Sequence, residues 1–90
     1  MHMDIEWDSK KAASNLKKHG VSFDEAATAL LDPQAMAQED PDAEGEPRWI
    51  LLGMSMQQRL LSVCYTLRGD NRIRLIAARP ATRKEAKDYA

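Results

Sequence analysis

The side chains best suited to chemistry in this chain are basic and lie in its last third. Five Lys or Arg residues fall within the fourteen positions from 72 to 85, namely Arg72, Arg74, Arg79, Arg83 and Lys84. Arginine holds phosphate groups through two parallel N–H donors and keeps its charge at any physiological pH. The pattern therefore predicts a surface that holds phosphates, and the question is whether this surface also breaks them.

The charge of the chain is divided unevenly between its halves. Residues 1–47 carry four Lys or Arg and eleven Asp or Glu, whereas residues 48–90 carry nine and three, although the formal net charge is only −1. A positive second half is typical of an anion-binding surface. Solvated faces of strands and a helix would give the same counts, so charge alone leaves both interpretations open.

The chain lacks the sequence motifs of several common catalytic chemistries. The chain has no G-x-S-x-G elbow, no phosphate-binding glycine loop and no paired Cys/His metal spacing. Cys64 lies in an apolar run and is predicted to be buried, which does not favour a nucleophilic pair with His19. Phosphoryl chemistry without a metal ion or other cofactor remains. Cleaving RNA in this way needs attack by the 2′-hydroxyl, a base, an acid for the leaving 5′-oxygen, and positive donors for the charge on the phosphate.

The chain offers several candidates for each of these roles. The candidate donors of positive charge are Arg59, Arg68, Arg72, Arg74, Arg79 and Arg83. The candidates for proton transfer are His19, Glu85, Tyr65, Tyr89, Lys17 and Lys18. An imidazole titrates near neutrality and suits the task best, although a histidine before a helix-ending glycine is also favourable against the helix dipole. Glu85 could be only a capping partner, and Trp7 and Trp49 could stack bases or pack in the core.

Capping signals predict where the helices begin and end. The first helix covers 9–18 after an Asp8 cap and ends at Gly20, with Ala12, Ala13 and Leu16 as its apolar stripe. The second helix begins with a Ser22–Glu25 capping box and stops at Asp32-Pro33, and the third begins with a Thr82–Glu85 capping box.

Alternating patterns predict the strands. They cover 4–7, 34–38, 48–54, 59–67 and the stretch from Arg72 to Pro80, with an acidic loop over 39–47 and turns over 55–58 and 68–71. In the last strand, simple alternation places Arg72 and Arg74 on one face and Arg79 on the other.

These elements predict an α+β fold over a small single domain, residues 1–90. Short turns imply an antiparallel β-sheet, with an N-terminal helical hairpin, a C-terminal helix, the helices packed on one face, and the order β-α-α-β-β-β-β-α. No stretch is apolar enough for a membrane span and no signal peptide is recognisable, so a cytoplasmic location with no membrane contact is expected.

Segments along nearly the whole chain resemble one known family. They are Ile5-Glu6-Trp7-Asp8, Lys18-His19-Gly20-Val21-Ser22-Phe23, Asp32-Pro33, Ile50-Leu51-Leu52-Gly53-Met54-Ser55, Arg59-Leu60-Leu61-Ser62-Val63, Ile73-Arg74-Leu75-Ile76-Ala77-Ala78-Arg79 and Ala81-Thr82-Arg83-Lys84-Glu85. In this order and spacing the chain resembles the BrnT family, ribonuclease toxins of type II toxin–antitoxin systems that are similar in fold to RelE-type toxins. Pro80 departs from the pattern, because the family often places a basic residue there.

The resemblance implies an endoribonuclease that blocks translation. It also implies a BrnA-type antitoxin with a ribbon-helix-helix DNA-binding domain, and a complex that represses its own operon and contacts operator DNA only through the antitoxin.

The site residues expected on this basis form two groups, and no cofactor or metal is expected. The catalytic group comprises Arg59, Arg68, Arg74, Arg79, His19 and Lys18, and the RNA-binding group comprises Arg72, Arg83, Lys84 and Lys17. Two alternatives stay open: a nucleic-acid-binding module without catalysis, and a degenerate toxin kept as a scaffold or co-repressor for its antitoxin.

Overall fold

A computed structural model describes residues 4–89, so residues 1–3 and 90 of the predicted domain lie outside it. Its elements are β1 (Asp4–Glu6), α1 (Ser9–His19), α2 (Phe23–Ala29), β2 (Met36–Glu39), β3 (Trp49–Met54), β4 (Leu60–Arg68), β5 (Arg72–Pro80) and α3 (Arg83–Asp88). Across residues 4–89, every helix is too short or too polar to cross a lipid bilayer.

The helix ends follow the capping signals with two exceptions, both at α2. This helix ends at Ala29, three residues before the predicted stop at Asp32-Pro33, so that prediction is wrong. Asp8 accepts a hydrogen bond from the Lys10 backbone N–H at 2.8 Å, and both bonds of the Thr82–Glu85 capping box form. Gly20 ends α1 in the left-handed conformation, φ 71°, which glycine adopts without strain. At α2 only the first half of the predicted capping box forms. Its Glu25 carboxylate turns instead towards Arg59, so the second half of that prediction is wrong.

The five strands form one sheet in the order β1-β5-β4-β3-β2. β2 to β5 pair antiparallel, but β1 lies parallel to β5, with Ile5 opposite Ile73. The predicted antiparallel sheet is therefore wrong at this edge. Two helices follow β1 before the next strand, so no short turn fixes its direction.

A β-bulge interrupts the alternation of β5. Cys64 lies opposite Ala77 while Tyr65 lies opposite Leu75, which leaves Ile76 as an extra residue. An extra residue reverses which side chains point to which face. The predicted separation of Arg79 from Arg72 and Arg74 is consequently wrong, and all three side chains lie on the same face of the sheet.

The other face of the sheet carries the core beneath α1 and α2. Fully buried side chains from both layers meet there, among them Val21, Phe23, Ala26, Ala29, Leu61, Val63, Leu75 and Ala78. Gly53 permits this contact, because a Cβ at that position would lie 2.7 Å from the carbonyl oxygen of Ala29. We call the opposite side, where the arginines lie, the open face.

α3 returns along the open face rather than joining the other helices. Glu85 and Asp88 border a cavity of about 330 Å³ whose floor includes Ile50 and Leu52. The hydroxyl of Tyr89, just after α3, donates to the carboxylate of Asp32, and this bond fixes the end of the helix. The prediction that all helices pack on one face is therefore wrong.

α1 lies along the part of β5 that β1 does not reach. The buried Asn15 amide donates to the carbonyl of Ala78 at 2.8 Å and accepts from its N–H at 3.0 Å. These bonds satisfy an otherwise unpaired strand edge. The predicted apolar stripe of α1 is wrong in part, because Ala13 and Leu16 are exposed and Asn15 is buried.

Candidate functional site

One end of the open face holds a cavity of about 290 Å³. It is lined by His19, Ile50, Ser62, Cys64, Ala77, Ala78 and Arg79. His19 is the last residue of α1, and it reaches this cavity because α1 follows the edge of β5. The structure thus brings together the best candidate for proton transfer and one of the candidate phosphate-binding arginines.

Arg79 is fixed by the carboxylate of Glu85. Its Nη1 and Nη2 each lie 2.9 Å from a separate oxygen of Glu85, and Nη1 also contacts the Pro80 carbonyl at 3.2 Å. The Arg79 Nε takes part in none of these bonds. Chiefly because of Arg79, the pKa of Glu85 is lowered to about 2, and the pKa of Arg79 is raised in turn. Glu85 is therefore ionised at neutral pH and cannot act there as a proton donor.

Arg59 lies near the turn that follows His19. Its Nε donates to the Glu25 carboxylate at 2.9 Å and its Nη2 donates to the Gly20 carbonyl at 3.0 Å. The buried Glu25 also accepts a bond from the Ser55 hydroxyl at 2.8 Å. The hydrogen bond from Arg59 lowers the pKa of Glu25, while burial acts in the opposite direction. This network ties the end of α1 to the loop before β4.

The other candidate arginines of the open face lie at its far end. Arg74 contacts Glu6 at 2.8 Å and Arg72 contacts the same carboxylate at 3.7 Å, while Arg68 lies 3.6 Å from Glu46. Arg74 lies opposite Thr66 and Arg79 lies opposite Ser62, which is four residues, or two rows of open-face side chains, away along β4. The predicted catalytic arginines therefore form two groups and not one cluster.

The remaining basic candidates are exposed. Lys17 and Lys18 lie in the last turn of α1 beside His19, and Arg83 and Lys84 lie in the first turn of α3.

Neither tyrosine candidate lines the His19 cavity. Tyr65 packs against the core and its burial raises the pKa of its hydroxyl. Tyr89 donates to Asp32, a bond that raises the tyrosine pKa. Trp7 packs edge-on against Phe23, with ring centroids 6.0 Å apart, as the core interpretation expects.

Comparison with known proteins identifies the family. A family profile described as "Ribonuclease toxin, BrnT, of type II toxin-antitoxin system" matches residues 7–85. The chain belongs to the BrnT family. It is thus a ribonuclease-type toxin of a type II toxin–antitoxin system, which implies an antitoxin protein as partner.

A solved structure is similar in fold to this BrnT family member. It is the 1.1 Å crystal structure of the Brucella abortus ribonuclease toxin BrnT, with a TM-score of 0.67 over 90% of this chain and 99% of that chain. At 24% sequence identity the likeness shows the fold alone. No curated protein matches the sequence.

Cys64 of this BrnT family toxin is half-buried and not fully buried as predicted. Its thiol shares the cavity with His19, a proximity that the sequence did not reveal. Burial raises the pKa of Cys64, against the opposing effect of the Arg48 charge. Since the thiolate is the nucleophilic form, this shift does not favour a Cys64–His19 nucleophilic pair.

Sequence reasoning missed three residues near the BrnT site. Ser62 lines the cavity opposite Arg79, Asn15 fixes the strand edge, and Arg48 lies next to Cys64. Asn15 could have been recognised as a polar residue three positions after Ala12, within the helix stripe. Arg48 lies two residues before Ile50, which lines the cavity, so the alternation of the strand could have placed both on the same face. Ser62 left no signal beyond its polar type within an apolar strand.

Over residues 4–89, no group of three His, Cys, Asp or Glu side chains is placed to hold a metal ion. Metal independence of this BrnT toxin stays a prediction.

Proposed function

We propose that this BrnT-family toxin is an endoribonuclease that cuts RNA on its open face, without a metal ion, and thereby inhibits translation. The observation that carries the proposal is the single cavity shared by His19 and Arg79. An imidazole can move a proton near neutral pH, and a guanidinium can hold the charge that develops on a phosphate.

His19 and Arg79 divide the chemistry between them. The imidazole of His19 takes the proton of the RNA 2′-hydroxyl, whose oxygen then attacks the adjacent phosphorus. A 2′,3′-cyclic phosphate forms, the bond to the 5′-oxygen breaks, and that oxygen receives a proton from the imidazolium or from water. Arg79 stabilises the phosphate oxygens with its Nε side, since Glu85 occupies the other side of its fork.

The other candidate residues support these two. Arg59 positions the turn after His19 through Gly20 and Glu25, and Lys18 adds positive charge beside the imidazole. Side chains farther from the cavity hold backbone phosphates of the RNA. These are Arg68, Arg72, Arg74, Lys17, Arg83 and Lys84. Pro80 lies opposite Leu61, on the core side of the sheet, so a basic residue there would not share the face of Arg79.

The partner that fits this surface is an antitoxin with an acidic segment. Such a segment would neutralise the arginines of the open face and exclude RNA with one contact. We propose that this partner is a BrnA-type antitoxin of the ribbon-helix-helix class, which binds operator DNA and represses its own operon. We also propose that this single domain is a RelE-like toxin located in the cytoplasm.

Cleavage of RNA by the purified protein in EDTA tests the proposal. We expect products that end in a 2′,3′-cyclic phosphate and a 5′-hydroxyl. We also expect no cleavage at a nucleotide whose 2′-hydroxyl is replaced by hydrogen. Intact RNA at every protein concentration would end the catalytic claim, and cleavage that disappears only with EDTA would end its metal-free part.

One observation favours the non-catalytic alternatives. Arg59, Arg68, Arg72, Arg74 and Arg79 each lie within 4.0 Å of a carboxylate, which reduces the free positive charge of the surface. A nucleic-acid-binding module would bind RNA with a steep salt dependence and leave it intact. A degenerate toxin kept as an antitoxin scaffold would cause no growth arrest when produced without its partner, whereas a ribonuclease toxin would.

A further inference from the structure

Arg48 is a basic residue of the open face that no expected role accounts for. Trp49 lies opposite Tyr65, so by continuation of the register Arg48 lies opposite Thr66, in the same row as Arg74. Its positive charge acts on the thiol of Cys64, which lines the cavity of His19 and Arg79. Arg48 therefore extends the candidate site towards β3.

The guanidinium of Arg48 differs from the other open-face guanidinium groups because it has no partner within residues 4–89. It makes no hydrogen bond or salt bridge there, and its Nε is buried. Asp40 pairs with Arg48 through its backbone, but its carboxylate does not bind the guanidinium. It accepts a hydrogen bond from the backbone N–H of Asp42 at 3.0 Å. The two terminal nitrogens of Arg48 also have no acceptor among the described residues and are not buried, so an anionic ligand could bind them.

Arg48 and Arg79 lie two rows of side chains apart along the strands, with one row between them. Successive rows on one face lie about 7 Å apart. The intervening row contains Ile50, Cys64 and Ala77, which are uncharged side chains. An extended RNA strand could place two non-adjacent phosphates at the two arginines and the intervening nucleotide over the uncharged row between them.

We propose that Arg48 binds a backbone phosphate of the RNA, farther along the strand from the scissile phosphate held by Arg79. This inference rests on the proposed function and adds a substrate-binding residue to it. Arg48 contributes to binding and not to the chemical step, because it lies away from His19.

The test is the salt dependence of binding to a short single-stranded RNA whose 2′-hydroxyls are methylated and cannot attack. Loss of one phosphate contact should reduce the slope of log affinity against log salt by about 0.7 in Arg48→Ala. Arg48→Lys should keep the wild-type slope. Lys10→Ala removes the same charge from the exposed first turn of α1 and should leave the slope unchanged.

Two further readouts keep the result interpretable. Arg48→Ala should raise KM for cleavable RNA with kcat nearly unchanged, and its thermal stability should not fall, since no bond is lost. A slope equal to that of wild type would overturn the inference and would direct attention to a carboxylate of the antitoxin as the partner of Arg48. A marked loss of stability would also overturn it. Wild-type binding without cleavage would overturn the proposed function alone.

Discussion

His19 is placed by the backbone around it. It ends α1 immediately before Gly20, and within the described residues its imidazole has no hydrogen-bond partner. Arg79, in contrast, is held by three hydrogen bonds from its two terminal nitrogens. A free imidazole beside a fixed guanidinium suits a reaction in which one group moves a proton and the other stays in place.

Replacing His19 with alanine should remove the proton-transfer step. General acid–base catalysis contributes about 100-fold or more, so His19→Ala should lose at least that factor in kcat. The pH–rate profile should also lose the limb that reports this proton transfer. The exposed Lys11→Ala on the same helix serves as control and should cleave RNA like wild type. A variant with unchanged rate and pH profile would contradict the role of His19.

Arg59 should matter for stability more than Arg72. Glu25 is 4% exposed, so Arg59→Ala leaves a buried carboxylate without its charged partner and should cost about 2 kcal/mol of unfolding free energy. The Arg72–Glu6 pair spans 3.7 Å with an arginine that is 60% exposed, and Arg72→Ala should cost less than about 0.5 kcal/mol. Urea unfolding of both variants measures the difference, and equal losses would contradict a positioning role for Arg59.

At the scale of elements, α3 depends on Glu85 in two ways. Its carboxylate accepts from the Thr82 N–H at 2.8 Å and holds Arg79 at the same time. Glutamine also completes a capping box, so Glu85→Gln keeps the helix start and removes the charge. This substitution separates the electrostatic contribution of Glu85 from its capping contribution.

The Arg79–Glu85 pair should make stability depend on pH in acid. The pKa of Glu85 is lowered from 4.5 to about 2 in the folded protein. Its stabilising effect is therefore complete above about pH 5 and is lost as the pH falls through 4.5 towards 2. Thermal melting of wild type should show this decline, and Glu85→Gln should show a shallower one. Identical pH dependence in both proteins would mean that the pair adds nothing to stability.

The elements also show what the sequence could and could not predict. Caps such as Asp8 and Thr82 form hydrogen bonds with backbone groups two or three residues away, so they could be recognised from the neighbouring residues. The bulge at Ile76 depends on pairing with β4, and it moved Arg79 to the face of Arg74. The direction of β1 depends on contacts with a strand more than sixty residues away. Local patterns carry no information about either.

At the scale of the whole molecule, one face of the sheet forms the core and the other carries the candidate site. α1 and α2 bury one face as the core, while the other keeps five arginines and His19 near solvent. The sequence predicted the basic second half and the helical hairpin. It could not predict that carboxylates from the acidic first half, such as Glu6 and Glu46, would pair with these arginines.

This arrangement limits how strongly the free toxin attracts polyanions. Arg79 can keep Glu85 and use its Nε side, but Arg68, Arg72 and Arg74 must exchange their carboxylate partners for phosphates, so binding should favour a ligand that meets several at once. An antitoxin segment and an RNA strand would both meet that requirement, and they would compete for the same face.

The most direct test of the account compares RNA cleavage by wild type and by Arg79→Ala in EDTA. Loss of a donor to the developing charge should lower kcat by about 100-fold or more. The stability of the variant should change by less than about 1 kcal/mol, because the Arg79 side chain is 40% exposed. Lys87→Ala, an exposed residue of α3 with the same charge, should cleave RNA like wild type. Full activity in a folded Arg79→Ala protein would contradict the assignment of RNA cleavage to the cavity of His19 and Arg79.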